Sequence, residues 1–135
     1  AAGARLCAGS DQHVAADLLA EARGIELHER LRTGRRGTVS PAALMNALST
    51  AGHASLGWPD AGRLEVGAPA DLVAIDDSSA RTAGTEPSQI IMTAGTADIR
   101  VVVVNGATVA TDGRHVLGDV GKLVGDALAS LDGLS

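Results

Sequence analysis

The sequence predicts an α/β chain made of two unlike parts. Residues 1–58 read as strand, helix, helix. Residues 59–117 read as short strands joined by turns, and a helix closes the chain. Two observations carry this: apolar residues recur at helical spacing through the first half, and short runs rich in β-branched residues, bounded by turn residues, replace that pattern after Trp58-Pro59.

Taken in order, Leu6–Ser10 is a short, mostly apolar run that reads as a buried strand, ending in the small and polar Gly9-Ser10-Asp11. From about Val14 to Arg32, Val14, Leu18, Ala22 and Ile25 recur on one helical face with Leu19 alongside. Glu21, Arg23, Glu26, Glu29 and Arg30 fill the other face, with Glu26 and Arg30 spaced as a favourable ion pair. Thr33–Gly37 is a basic, glycine-containing linker whose arginines read as a solvated loop rather than an anion site. Ser40 suits a helix N-cap and Pro41 the first helical position. Leu44, Leu48 and Ala51 give this second helix its apolar stripe, and Gly52 a C-terminal stop. Arg63–Val66, Leu72–Ile75, Ile99–Val104 and Thr108–Thr111 read as strands, and Asn105-Gly106 as a tight hairpin turn between the last two. Asp76–Pro87 reads as a loop, and Asp119–Leu131 as a helix with Leu123, Ala127 and Leu128 facing inward.

Composition narrows the function classes. Hydrophobic residues make up 45% of the 135 and charged residues 20%, ordinary for a globular chain. Trp58 is the only aromatic residue, so base stacking along single-stranded nucleic acid is not expected. A net charge of −5 argues against a phosphate-backbone partner. One cysteine, Cys7, excludes an internal disulfide framework and a multi-thiolate zinc site. No apolar run approaches the length of a membrane span, and residues 1–5 do not open a signal peptide. The expectation is a soluble cytoplasmic protein. The absence of an initiating Met suggests a fragment or a processed chain.

The four histidines, His13, His28, His53 and His115, form no His-x-His or His-x-x-x-His pair, and each reads singly as a surface or structural residue. Asp11 stands where an apolar strand ends and a helix begins. In barrels of alternating strands and helices, chemistry sits at the C-terminal strand ends. A carboxylate there can hold a metal and take a proton from water. Position alone also allows a plainer role as cap of the following helix, and both readings stay open.

Three segments bear on this choice: Leu6–His13, Gly52–Trp58, and Gly62–Val73 with its Gly-Ala-Pro-Ala-Asp-Leu-Val run. With the Val101–Gly106 hairpin, they resemble the C-terminal part of the amidohydrolase superfamily, over nearly the whole chain. Glu21–Leu27, Gly57–Gly62 and Arg81–Gly84 are similar to the formimidoylglutamate deiminase family within it. Gln12 stands where that pattern more often has Ser. The resemblance implies that residues 1–58 are the end of a metal-dependent (β/α)₈ barrel (strand eight and the following helices). Residues 59–117 would then be strands of the small β-sandwich domain, and 118–135 a C-terminal helix. It implies that Asp11 is both a ligand of zinc or another divalent metal and the catalytic proton acceptor. Water would attack the formimino carbon of N-formimino-L-glutamate, a small-molecule substrate, leaving N-formyl-L-glutamate and ammonia.

The histidine ligands of that pattern would lie upstream of Ala1. The chain alone is therefore expected to be inactive and to hold no metal tightly. An unpartnered barrel strand further implies self-association, or assembly with the missing N-terminal part. Two other expectations are kept. One is a parent acting on a different C–N bond, as imidazolonepropionase or nucleobase deaminases do; the other is a non-catalytic assembly fragment.

Overall fold

The computed structural model describes residues 3–12 and 16–132. The first helix, α1, is Leu18–Thr33. Its start is set by Asp17, whose side chain accepts from the Ala20 amide at 3.0 Å, the N-cap geometry that satisfies a free first-turn donor. The expected start at Val14 lies outside the described residues. The helix ends where Gly34 takes the left-handed conformation at φ 68° and donates to the Arg30 carbonyl. Helix α2, Pro41–Leu48, begins as expected: Ser40 Oγ accepts from the Ala43 amide at 3.2 Å, and Pro41 opens the first turn. The chain then kinks at Ser49 (φ −102°, ψ −103°) and resumes as α3, Thr50–Ser55. The single helix expected to stop at Gly52 is thus two helices, and Gly52 lies inside the second. Its alpha carbon sits so close to the Ala47 carbonyl oxygen that an added Cβ would lie 3.0 Å away.

The core forms where these helices meet a later segment. Ala22 of α1 and Leu44 of α2 are fully buried against Ile91, with Leu19, Ile25, Val39, Leu48 and Met92 packed around them. Ile91 belongs to a short 3-10 helix, Pro87–Met92, in a region the sequence left without an element. Arg23 of α1 donates to the carbonyls of Ile91 (3.1 Å) and Ala94, so the same segment is held by both packing and a charged donor.

A four-stranded antiparallel sheet follows in the order β1-β2-β3-β4: β1 Leu72–Ile75, β2 Ile99–Val104, β3 Ala107–Thr111, β4 Arg114–His115. Two bulges, between Ala74 and Ile75 and between Val102 and Val103, interrupt its register. The Asn105-Gly106 turn has positive φ at both residues (48° and 80°), as a two-residue hairpin of the type expected requires. Asp112-Gly113 repeats that geometry (46° and 74°) and creates β4, which sequence reading missed although Asp-Gly is the same signal.

Three expectations are corrected. Leu6–Ser10 forms no strand and Leu6 is exposed, because no neighbouring strand among the described residues meets its backbone groups. Arg63–Val66 forms no strand either. Leu64 and Val66 are exposed, and Arg63 ties the segment to itself through Glu65 (2.5 Å), Asp60 (3.3 Å) and the Pro59 carbonyl (2.9 Å). The final helix α4, Val120–Asp132, forms as expected with Asp119 accepting from the Lys122 amide at 2.9 Å. Its apolar side is not turned inward, however: residues 116–131 are all exposed. Among the described residues no helix is long and apolar enough to cross a membrane.

Candidate functional site

Asp11 lies in a turn after the irregular segment of residues 3–10, most of which is exposed, with φ 43°. Asp is among the few side chains that tolerate this region, because its short polar group bonds locally. The plainer role is removed by the structure: the cap of α1 is Asp17, not Asp11. Asp11 is exposed. Earlier in the same segment, Ala4, Arg5 and Leu6 line an open groove with Asn46, Thr50 and Ala54 of α2 and α3, and Asp11 is not among the residues that line it.

The histidines do not converge on it. His28 is exposed on α1. His53 Nδ1 lies 2.9 Å from the Ser49 carbonyl oxygen, which makes that nitrogen the donor. His115 Nδ1 accepts from the Leu117 amide at 3.1 Å. His13 lies outside the described residues. Among the described residues no group of three His, Cys, Asp or Glu side chains is placed to hold a metal ion. A divalent cation needs several converging ligands, so these residues do not by themselves fit one.

The charged groups that are buried serve the fold. Glu26, expected on the polar face of α1, is buried. Its carboxylate accepts from the Gly37 amide (2.6 Å), the Val39 amide (2.7 Å) and Arg30 Nε (2.9 Å). The Val39 amide first, then Arg30, hold its carboxyl below the usual range against the opposing effect of burial. The linker is thereby closed onto α1, and Val39 is placed in the core.

Asp98, buried at the start of β2, is the second such node. Arg81 grips it with two parallel bonds, Nε to Oδ2 at 2.9 Å and Nη2 to Oδ1 at 2.8 Å, and the Gly95 amide adds a third at 2.8 Å. Arg81 above all, then the Gly95 amide and Ser79, keep Asp98 well below the ordinary carboxylate range. Next to it, Ser78 and Arg100 draw Asp76 down to about 2. The Asp76 amide also donates to the Asp98 carbonyl at 2.8 Å.

These contacts explain motifs that sequence alone marks without assigning a role. Arg81-Thr82-Ala83-Gly84 anchors its loop to β2, with Thr82 buried and its Oγ1 2.9 Å from Ser79 Oγ. In the Gly67–Val73 run, Asp71 accepts from the Asn105 amide at 2.6 Å and the Ala70 carbonyl from the Gly106 amide at 2.9 Å. The run therefore fastens the hairpin turn.

Comparison with known proteins follows the same outline. The model of the "Amidohydrolase family" matches residues 1–109. A formimidoylglutamate deiminase of Pseudomonas aeruginosa is 34% identical over 126 residues, covering 85% of this chain and 28% of that protein. Among solved structures, a zinc-bound adenosine deaminase from Xanthomonas campestris superposes with TM-score 0.74 at 26% identity, over 85% of this chain and 27% of the other. Atrazine chlorohydrolase from Arthrobacter aurescens, complexed with zinc, gives 0.71 at 28% identity, over 82% and 25%. The chain thus spans about a quarter of the length of the relatives it matches.

Proposed function

The chain belongs to the amidohydrolase family, and from that premise we propose that it is the C-terminal part of a deiminase that hydrolyses N-formimino-L-glutamate to N-formyl-L-glutamate and ammonia. The observation that carries this reading is the 34% identity to formimidoylglutamate deiminase, sustained across 85% of the chain. In this reading residues 1–58 close a barrel, residues 59–117 belong to the small β-domain, and the whole is a cytoplasmic enzyme of histidine degradation.

Asp11 carries the chemistry assigned to this chain. Its carboxylate accepts a proton from the water that attacks the formimino carbon, and delivers it to the nitrogen that leaves as ammonia. Zinc or another divalent cation, when bound, lowers the pKa of such a water. Asp11 is the one residue here proposed to contribute to holding it, together with histidines outside the chain. The chain alone is accordingly inactive and holds no metal tightly in this reading. The likeness to an adenosine deaminase favours a second reading, a parent that acts on a ring C–N bond instead.

The test is ammonia release by the longer protein that contains this chain, with N-formimino-L-glutamate and adenosine as competing substrates. Turnover of the first is expected, with Asp11→Asn lowering it on the order of 10²-fold or more. Turnover of adenosine alone refutes the substrate, and an unimpaired Asp11→Asn refutes the role.

A further inference from the structure

The chain has two asparagines, Asn46 and Asn105, in unlike settings. Asn46 lies inside α2 and is followed by the buried Ala47. Asn105 is exposed in the turn between β2 and β3 and is followed by Gly106, which is exposed as well. An asparagine before glycine can close on itself. With no Cβ on the next residue, the main-chain nitrogen has an open approach to the side-chain amide carbon. Two hydrogen bonds from outside the turn oppose that reaction here. The Gly106 amide donates to the Ala70 carbonyl at 2.9 Å, and the Asn105 amide donates to Asp71 Oδ1 at 2.6 Å. The nitrogen that would attack is thus the one whose proton Ala70 holds. That proton must leave before the nitrogen can attack, so the bond to Ala70 has to open first, as it does for amide hydrogen exchange. The bond to Asp71 is charge-assisted and keeps the turn where the Ala70 bond forms.

We propose that Asn105 is a deamidation site of this protein, and that Ala70 and Asp71 are the latch that governs its rate. When the latch opens, the Gly106 nitrogen gives its proton to hydroxide and bonds to Asn105 Cγ. The side-chain nitrogen takes up a proton and leaves as ammonia, and a succinimide ring remains. Water adds to one ring carbonyl and opens the ring, which leaves aspartate or isoaspartate at position 105. Both products carry one more negative charge than asparagine. In the isoaspartate the main chain runs through Cβ and Cγ, one carbon longer, and the freed carboxylate sits on Cα beside the amide that Asp71 holds. Two carboxylates then face each other, and each disfavours the other's charge. The two-residue turn, whose span is set by the pairing of Val104 with Ala107, is also forced to lengthen. The latch therefore cannot close again on the isoaspartate, and the modification releases the turn permanently. The inference is independent of the proposed catalytic reading, because Asn105, Ala70 and Asp71 take no part in that chemistry.

The experiment follows conversion at position 105 by peptide mapping with mass spectrometry, and by an enzymatic assay for isoaspartate, while the purified chain is held at neutral pH and constant temperature. Conversion is expected to be slow in the folded chain and fastest in urea. Asp71→Ala is expected to speed it on the order of tenfold, the weight of a hydrogen bond to a charged group. Hydrogen exchange at the Gly106 amide should rise by the same factor. Asp71→Asn keeps the shape and a weaker acceptor, and is expected to fall between; it carries the comparison if circular dichroism shows Asp71→Ala unfolded. Ser40→Ala weakens α2 and leaves the latch intact, so it is expected to keep the wild-type rate, which separates local opening from loss of stability. Wild-type rates in the folded Asp71 variants overturn the proposal. So does a folded wild type that converts as fast as in urea, and so does a Ser40→Ala chain that converts as fast as Asp71→Ala.

Discussion

Replacing Ile91 by Ala tests how the two parts of the chain are joined. Ile91 is fully buried and is the one side chain of the 3-10 helix in the buried cluster with Ala22 and Leu44. The substitution removes three carbon groups, about 2.4 kcal/mol at roughly 0.8 kcal/mol each. The cavity left behind adds to this, because Arg23 still pins the segment through the Ile91 and Ala94 carbonyls and limits collapse. The expected total is about 3–4 kcal/mol. For a chain of 135 residues that corresponds to a fall in Tm of about 10 °C. Urea denaturation followed by circular dichroism measures it, with Leu31→Ala as control. Leu31 is 84% exposed, and its truncation is expected to change stability by no more than about 0.5 kcal/mol. A loss under about 1 kcal/mol for Ile91→Ala would refute the reasoning, since residues 87–92 would then not be docked on α1 and α2.

Three further outcomes are expected. Asp76, Asp98 and Glu26 have folded pKa values below their unfolded ones. Their stabilising contribution is therefore complete above the unfolded carboxylate range and is lost as pH falls through the folded values. The urea midpoint should hold between pH 7 and 5 and drop as pH goes from about 4 toward about 2; a midpoint unchanged at pH 3 would contradict this. Ser40→Ala removes the cap of α2 and is expected to cost about 1 kcal/mol in the same assay. Gly62→Ala should cost more than Gly67→Ala. Both have positive φ, about 1–2 kcal/mol of strain for a residue with a Cβ, but only at Gly62 would that Cβ lie 2.6 Å from the Ser49 carbonyl carbon. Equal losses would mean that the chain moves freely there.

Local signals were read well wherever the chain makes its own bonds. Ser40-Pro41 opens α2, and Asn105-Gly106 closes the β2–β3 hairpin. Their chemistry is complete within a few residues. The cap at Asp17 is equally local, but apolar residues at helical spacing begin at Val14, upstream of it, and so point to an earlier start. Leu6–Ser10 and Arg63–Val66 failed for the opposite reason. The mostly apolar run of the first and the alternation of the second have the character of strands, but a strand exists only when a neighbour supplies backbone partners, and none does among the described residues. The candidate site was legible as one residue, Asp11, picked out by resemblance and not by any constellation of side chains.

By itself the sequence determined the start of α2 and the Asn105-Gly106 turn, three of the four pairing strands (β1, β2 and β3), and membership of a family whose motifs it carries. Only the tertiary structure decided that Glu26 is buried, that Arg81 serves Asp98, and that Arg23 and Ile91 join the helices to the segment before β2. Each of these depends on groups that lie far apart along the chain, such as the 68 residues between Arg23 and Ile91. No local pattern encodes such a meeting. The burial of a carboxylate or the docking of an isoleucine is settled by which surfaces remain to exclude water once the helices have formed.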